Sequence, residues 1–290
     1  MDLRMLLRPG AGQILPGVAN AVSARIAEMT GFPAAFVTGA GVANSFLGMP
    51  DMGLLTLTEL VGHVAAIREA TNLPLIADGD TGFGNALNAQ RAVRLLERAG
   101  ANAIQLEDQV FPKRCGHFDG KAVVPQVEMV QKIRAAADAR RDESFLIIGR
   151  TDARAIEGLA GALDRAAAYQ EAGADLLFVE APSSLDELAA IPRQVPGIHL
   201  CNMVFGGKTP LLPASELGAM GFAGVIYANA ALQATMRTVV DVFAHLRDTG
   251  SLSGIDERLA SFRERQAIVD QPGFFELDAR YATLESKDGL

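Results

Sequence analysis

Short apolar runs alternate with longer amphipathic stretches along this chain, and they do so eight times. The runs lie at 13–16, 34–39, 74–80, 103–109, 145–152, 175–181, 199–204 and 224–230. Segments such as LLFVEA and FLIIGRT are apolar throughout rather than alternating, the pattern of parallel strands buried on both faces. Between them, stretches such as LTELVGHVAAIREAT, NAQRAVRLLERAG and GALDRAAAYQEAG carry helical periodicity, and Gly31, Gly100 and Gly173 stand where helix C-caps are expected. Eight strand–helix units predict a closed α/β architecture, a (β/α)8 TIM barrel, over an open doubly wound sheet. No interior linker or low-complexity tract interrupts 1–290, so one domain is the economical reading, with 252–290 a C-terminal helical extension. Within it ERLASFRERQAIV predicts a helix whose apolar face needs a partner, either its own barrel or a neighbouring subunit.

Composition narrows the function. With 49% hydrophobic residues among 290, a sizeable core is available. A net charge of −8 argues against nucleic acid as a partner, because phosphates reward clustered Lys and Arg. Cys115 and Cys201 give no disulfide framework and fit a reducing cytoplasm. The N-terminal apolar patch is too short for a signal sequence and no run of 18 apolar residues occurs, so a cytoplasmic protein without membrane partners is expected.

In such barrels the reacting groups sit where strands end. Here the ends read Thr38-Gly39-Ala40-Gly41, Asp78-Gly79-Asp80, Glu107-Asp108, Arg150-Thr151-Asp152, Glu180, Asn202, and Tyr227 with Asn229. One Asp after a strand is commonly a cap or turn residue. Several carboxylates converging with an Arg on one mouth instead require mutual pairing or a divalent cation. Asp78, Asp80 and Glu107 offer only hard oxygen donors, which suits Mg²⁺ (or Mn²⁺) rather than Zn²⁺. Gly39-Ala40-Gly41 lacks the third glycine of a dinucleotide fingerprint, and Gly206-Gly207-Lys208 is only a weak phosphate signal. His63, His199, His245 and Cys201 read as structural, whereas Tyr227 could serve the site or the core.

The connection VFPKRCGHFDGKAVVP after the fourth strand is unusually long, as lids and binding loops are. Beside Lys113, Arg114 and His117, the Cys115 thiolate would be stabilised and able to exchange a proton near neutral pH.

Lys113-Arg114-Cys115-Gly116-His117 resembles the signature of the isocitrate lyase/phosphoenolpyruvate mutase superfamily. TGAGVANSFLGMPDMG, ADGDTGFGN, QLEDQVFPKRCGH, GRTDA, FVEAP and NMVFGGKTP follow in family order. The resemblance implies a Mg²⁺ site at Asp78, Asp80 and Glu107, with Asp51 holding metal waters. It implies substrate contacts from Thr38, Gly39, Ala40, Glu180, Asn202 and Thr209, with Arg150 and Cys115 catalytic and His117 orienting the lid. It also implies a final helix swapped onto a neighbour, in homotetramers built as dimers of dimers. The expected reaction is carbon–carbon cleavage of a small 2-hydroxy dicarboxylate, with Cys115 protonating the departing carbanion. Phe118-Asp119-Gly120-Lys121 after the CGH motif is more similar to the lyases of 2,3-dimethylmalate and other alkylmalates than to those of methylisocitrate. Phosphonomutase chemistry on carboxyphosphonoenolpyruvate and oxaloacetate hydrolysis are the alternatives within the superfamily, and a non-catalytic metabolite-binding barrel the alternative outside it.

Overall fold

In the computed structural model, which describes residues 2–114, 116 and 120–282, eight strands close into one barrel. They are β1 Gln13–Val18, β2 Ala35–Val37, β3 Leu75–Asp78, β4 Ala103–Glu107, β5 Leu146–Thr151, β6 Leu176–Val179, β7 His199–Asn202 and β8 Gly224–Tyr227. All neighbours pair in parallel, and β1 joins β8 with Gln13 opposite Gly224, so the expected (β/α)8 topology is the one found. The helices are α1 Leu3–Leu6, α2 Ala21–Met29, α3 Gly39–Val42, α4 Leu57–Ala70, α5 Ala86–Arg98 and α6 Gln126–Ala139. They continue with α7 Arg154–Glu171, α8 Leu185–Gln194, α9 Ala214–Met220, α10 Ala230–Thr249, α11 Phe262–Ile268 and α12 Gln271–Tyr281.

Strand alternation divides the core into two layers. Leu15, Phe36, Ile76, Ile148, Phe178, Leu200 and Ile226 fill the barrel, and Leu3 and Leu7 join them. The intervening positions, among them Val37, Ala77, Leu106, Ile147, Val179, Cys201 and Val225, face the helices. Helix α5 shows how the outer layer is met: Ala89, Ala92, Val93 and Leu96 recur at helical spacing and are all buried. Asn85 caps it, accepting from the Leu87 and Asn88 amides. Gly100 and Gly173, at φ +94° and +106°, turn the chain from α5 and α7 toward the next strands, the left-handed geometry their positions predicted.

Compact units are distinguished at Ala234/Thr235, the barrel lying in the first. In the second, the helix expected over ERLASFRERQAIV is interrupted. Asp256–Arg258 form a 3-10 turn and α11 starts only at Phe262. Ser261 explains the break: its hydroxyl accepts the Glu264 amide at 3.2 Å while Glu264 accepts the Ser261 amide at 2.7 Å, a capping box that starts a new helix. None of the residues of α10 is buried, and Phe262, Phe274, Phe275 and Tyr281 are exposed. Among the described residues no helix is long and apolar enough to cross a membrane.

Candidate active site

The same two-residue period that fills the barrel determines what reaches its open end. Continuing the inward positions upward from Ile76 gives Asp78, from Ile148 gives Arg150, from Phe178 gives Glu180, from Leu200 gives Asn202; in β4 it gives Gln105 and then Glu107. Register makes them neighbours: Asp78 pairs with Gln105, Glu107 with Arg150, and Arg150 with Phe178. Thr38, Ala40, Asp51, Asp78, Glu107, Arg150, Glu180 and Asn202 all line one mouth above a floor of Phe36, Phe178 and Ile226. The cavity at this mouth is about 30 Å³. Asn229 also lines it, but Tyr227 packs toward the outer helical layer, one residue out of phase with Ile226. Its expected alternative as a mouth residue is thereby corrected.

Arg150 anchors the mouth. Its Nε lies 2.9 Å from Asp152 and 3.3 Å from Glu107, its Nη2 lies 3.2 Å from Glu180, and its guanidinium sits 5.2 Å from the Phe178 ring centre. Burial would lower its pKa, but Asp152, Glu180 and Glu107 outweigh burial and hold it well above the ordinary range. The same balance settles Asp152: burial raises it, Arg150 and Lys121 lower it, and it rests at about 2.

On the opposite side Asp78 accepts from the Gly39 amide at 3.2 Å and from Gln105 Nε2 at 3.1 Å. Thr38 caps α3 by accepting the Gly41 amide. Asp80, held in the left-handed region at φ +47°, pairs with Lys113 at 2.8 Å, and Lys113 also donates to Asp51. Burial, seconded by Asp78 and Asp51, lifts the Asp80 carboxyl to about 7 despite Lys113. Glu107 is likewise pushed well above its usual range, by burial first. Lys113, nearly inaccessible, stays well above its ordinary value because Asp80, Asp51 and Glu107 overcome its desolvation.

Behind the mouth Asp108 is fully buried and holds the end of β5. It accepts from Thr151 Oγ1 at 2.7 Å, the Asp152 amide at 2.9 Å and Tyr169 Oη at 2.7 Å, with Arg165 at 3.3 Å. This network was not foreseen; its only sequence signal is that Asp108 follows Glu107 and must therefore face the helices. Among the remaining expected residues, Thr209 is buried but does not line the mouth, and neither do Gly206, Gly207 and Lys208. His199 bonds the Val195 carbonyl and Cys201 lies buried in the outer layer, as structural residues should. His63 stacks edge-on to Phe46 and His245 meets the Ser253 carbonyl. Cys115 and His117 lie outside the described residues.

The long loop nevertheless contributes Lys113, Arg114 and Gly116 to the mouth. Gly116 is obligatory there: a Cβ would lie 2.5 Å from Arg150 Nη2 and 2.6 Å from Glu180 Cγ.

Whether a divalent cation fits can be judged from charge and unsatisfied atoms. Asp51, Asp78, Asp80, Glu107, Asp152 and Glu180 face Lys113, Lys121 and Arg150, with Arg114 also lining the mouth, six carboxylates against four cations. Glu107 Oε1, Asn202 Oδ1 and Asn229 Oδ1 are buried without a hydrogen-bond partner among the described residues. Such an acidic, all-oxygen setting fits Mg²⁺ or Mn²⁺. Among the described residues no three His, Cys, Asp or Glu groups close on one point as an all-protein cage. Mg²⁺ usually keeps several waters and takes one or two carboxylates directly, so a cage of that kind is not required of it.

Comparison with known proteins gives the same direction. The family model described as phosphoenolpyruvate phosphomutase matches residues 3–247. A 2,3-dimethylmalate lyase of Eubacterium barkeri is 43% identical over 97% of this chain and 97% of its own. A chloroplastic carboxyvinyl-carboxyphosphonate phosphorylmutase of Arabidopsis thaliana is 45% identical over 95% of this chain and 83% of its own. The solved structure of a phosphonopyruvate hydrolase complexed with oxalate and Mg²⁺ superposes with a TM-score of 0.85 at 32% identity, covering 97% of this chain and 98% of that one. A barrel with an arginine held among carboxylates at its mouth, and matches of this extent, make the chain a member of the isocitrate lyase/phosphoenolpyruvate mutase superfamily of enzymes.

Proposed function

We propose that this protein is a Mg²⁺-dependent carbon–carbon lyase that cleaves a 2-hydroxy dicarboxylate of the 2,3-dimethylmalate, alkylmalate or methylisocitrate type into a 2-oxoacid and a carboxylate. The observation that carries the reading is the mouth itself: one buried guanidinium faces an acidic oxygen cluster under a cationic loop. Asp78, Asp80 and Glu107 would hold the ion between them, directly or through its waters, with Asp51 also at those waters. The chemistry such an ion supplies is Lewis-acid polarisation of a substrate oxygen and charge cover for a carboxylate.

The chain's own residues do the rest. Arg150, fixed by Asp152, Glu107 and Glu180, offsets the charge that grows as the C2–C3 bond breaks. Thr38, Gly39, Ala40 and Asn202 orient the substrate carboxylates, and Glu180 and Asn229 complete the polar surroundings. The C2 hydroxyl gives up its proton to solvent and its electron pair closes the C2 carbonyl, while the electrons of the broken bond go to C3, where the carbanion takes a proton from the Cys115 thiol; the thiolate then regains a proton from solvent. Arg114 and Gly116, its neighbours in the chain, both line the mouth, which supports that role. His117 orients the loop. From 2,3-dimethylmalate the products are pyruvate and propionate.

Replacing Cys115 with Ser tests this division of labour: turnover should collapse while Mg²⁺–oxalate binding persists, and unchanged turnover would refute the thiol's role. The relative that acts as a phosphorylmutase motivates a second arm. Phosphorus NMR showing turnover of a phosphonate, with none on alkylmalates, would replace the lyase reading.

The proposal extends to assembly and location. With α10 wholly unburied and four aromatic residues exposed beyond it, we read the C-terminal helices as exchanged between chains, in homotetramers of a cytoplasmic enzyme. Light scattering should then return four times the 30.6 kDa of one chain, and a monomer would contradict it.

A further inference from the structure

Among its described residues the long loop is tied to the mouth through Lys113 and again through Lys121. At the second, Lys121 is withdrawn from solvent, its side chain only 2% exposed. Its ammonium donates to Asp152 Oδ1 at 2.7 Å and to the Gly116 carbonyl. Asp152 in turn receives Arg150, Nε on Oδ2 at 2.9 Å and Nη2 on Oδ1 at 3.3 Å. A single carboxylate therefore stands between a loop lysine and the arginine of the mouth. Asp152 cannot drift, because its amide is held by Asp108 at 2.9 Å.

Two consequences follow from charge alone. Without Lys121, the whole of the Asp152 anion would fall on Arg150 and cancel much of its field. With Lys121 in place that anion is shared, and more of the guanidinium's charge is left for a ligand. The second is geometric: by gripping the Gly116 carbonyl, Lys121 holds the backbone that rests on Arg150 and Glu180. Burying an ammonium is unfavourable unless it is paired, so a lysine taken this far out of water needs these two acceptors.

We propose that Lys121 is a positioning residue that sets the effective charge and orientation of Arg150 through Asp152, and so controls how tightly the mouth holds a developing anion. The inference deepens the lyase reading and rests on it.

The test is Lys121→Met, which keeps the aliphatic stem and removes the charge, compared with Lys121→Arg. Oxalate with Mg²⁺ serves as the probe, a planar dianion that resembles the 2-oxoacid product. Calorimetry should show oxalate bound about 10- to 100-fold more weakly by Lys121→Met. On an alkylmalate, kcat should fall by a similar factor and KM should rise by less, since the anionic charge facing Arg150 is greatest in the transition state. Lys121→Arg should recover most of both losses, as a guanidinium can still reach Asp152. Asp152 keeps Arg150 as partner in Lys121→Met, so its thermal midpoint should stay near wild type. If that variant loses its fold, Lys121→Gln is measured in its place. Oxalate affinity and kcat within twofold of wild type in a folded variant would overturn the proposal. So would a loss shared equally by Lys121→Arg, or one expressed wholly in KM. Wild-type protein that neither binds oxalate nor cleaves any alkylmalate would overturn the lyase reading as well, which separates the two failures.

Discussion

Gly116→Ala is the sharpest perturbation the structure offers. The added methyl carbon would sit 2.5 Å from Arg150 Nη2, 2.6 Å from Glu180 Cγ and 2.8 Å from Glu180 Cδ. Comfortable separations are about 3.5–4.0 Å, so roughly 1 Å of relief is needed. Neither neighbour can provide it. Arg150 is held by three carboxylates, and Glu180 is 1% exposed in the barrel top. The loop backbone must lift instead, carrying the residues around position 116 away from the substrate. A misplacement of about 1 Å at a reacting group costs on the order of 10²-fold in rate, or about 2.7 kcal/mol of transition-state stabilisation. The fold should be spared, because the strain is relieved by the loop and not by the barrel. Initial rates of 2-oxoacid release from an alkylmalate, taken at low and saturating substrate, give kcat/KM and kcat; thermal unfolding gives the control. A variant with kcat/KM within twofold of wild type would refute the account of a loop seated on Arg150.

Two further outcomes are expected. Tyr169→Phe removes one donor from buried Asp108 while Thr151, the Asp152 amide and Arg165 remain; urea unfolding should show a loss of about 1–2 kcal/mol, and a neutral result would remove the network from the stability account. For pH, the native state without metal holds a proton on Asp80 up to about 7, whereas an unfolded chain releases it near 3.8. Between those values the folded form binds more protons, so the metal-free protein should lose stability as pH rises, and Mg²⁺ affinity should strengthen over the same span as the competing proton leaves. Calorimetric Mg²⁺ titrations at pH 6 and 8 that agree would contradict this.

What the sequence disclosed about this molecule follows from how local each feature is. Strand alternation is local, so Asp78, Glu107, Arg150, Glu180 and Asn202 could be placed at one mouth from the runs that carry them. Tyr227 was ambiguous for the same reason: β8 contributes only four residues, and phase is weakly marked until Ile226 is seen inside the barrel. The pairs Lys113–Asp51 and Lys121–Asp152 bridge 62 and 31 positions and depend on the path of a loop, which periodicity does not describe. Asp108 was hidden by its neighbour, since its partners Tyr169 and Arg165 lie on α7, far along the chain. The break before α11 was legible in principle, because Ser261 and Glu264 have capping-box spacing; the apolar periodicity running through it masked the stop.

The central claim is that this mouth uses a hard divalent ion to split a 2-hydroxy dicarboxylate. It is tested most directly by incubating the protein with 2,3-dimethylmalate and measuring pyruvate and propionate, with Mg²⁺ present and after chelation. The account predicts equal amounts of the two products with Mg²⁺, their loss on chelation, and recovery when Mg²⁺ or Mn²⁺ is restored. Cleavage that continues undiminished in a chelator, or no cleavage of this compound, methylisocitrate or any other alkylmalate with Mg²⁺ present, would contradict it.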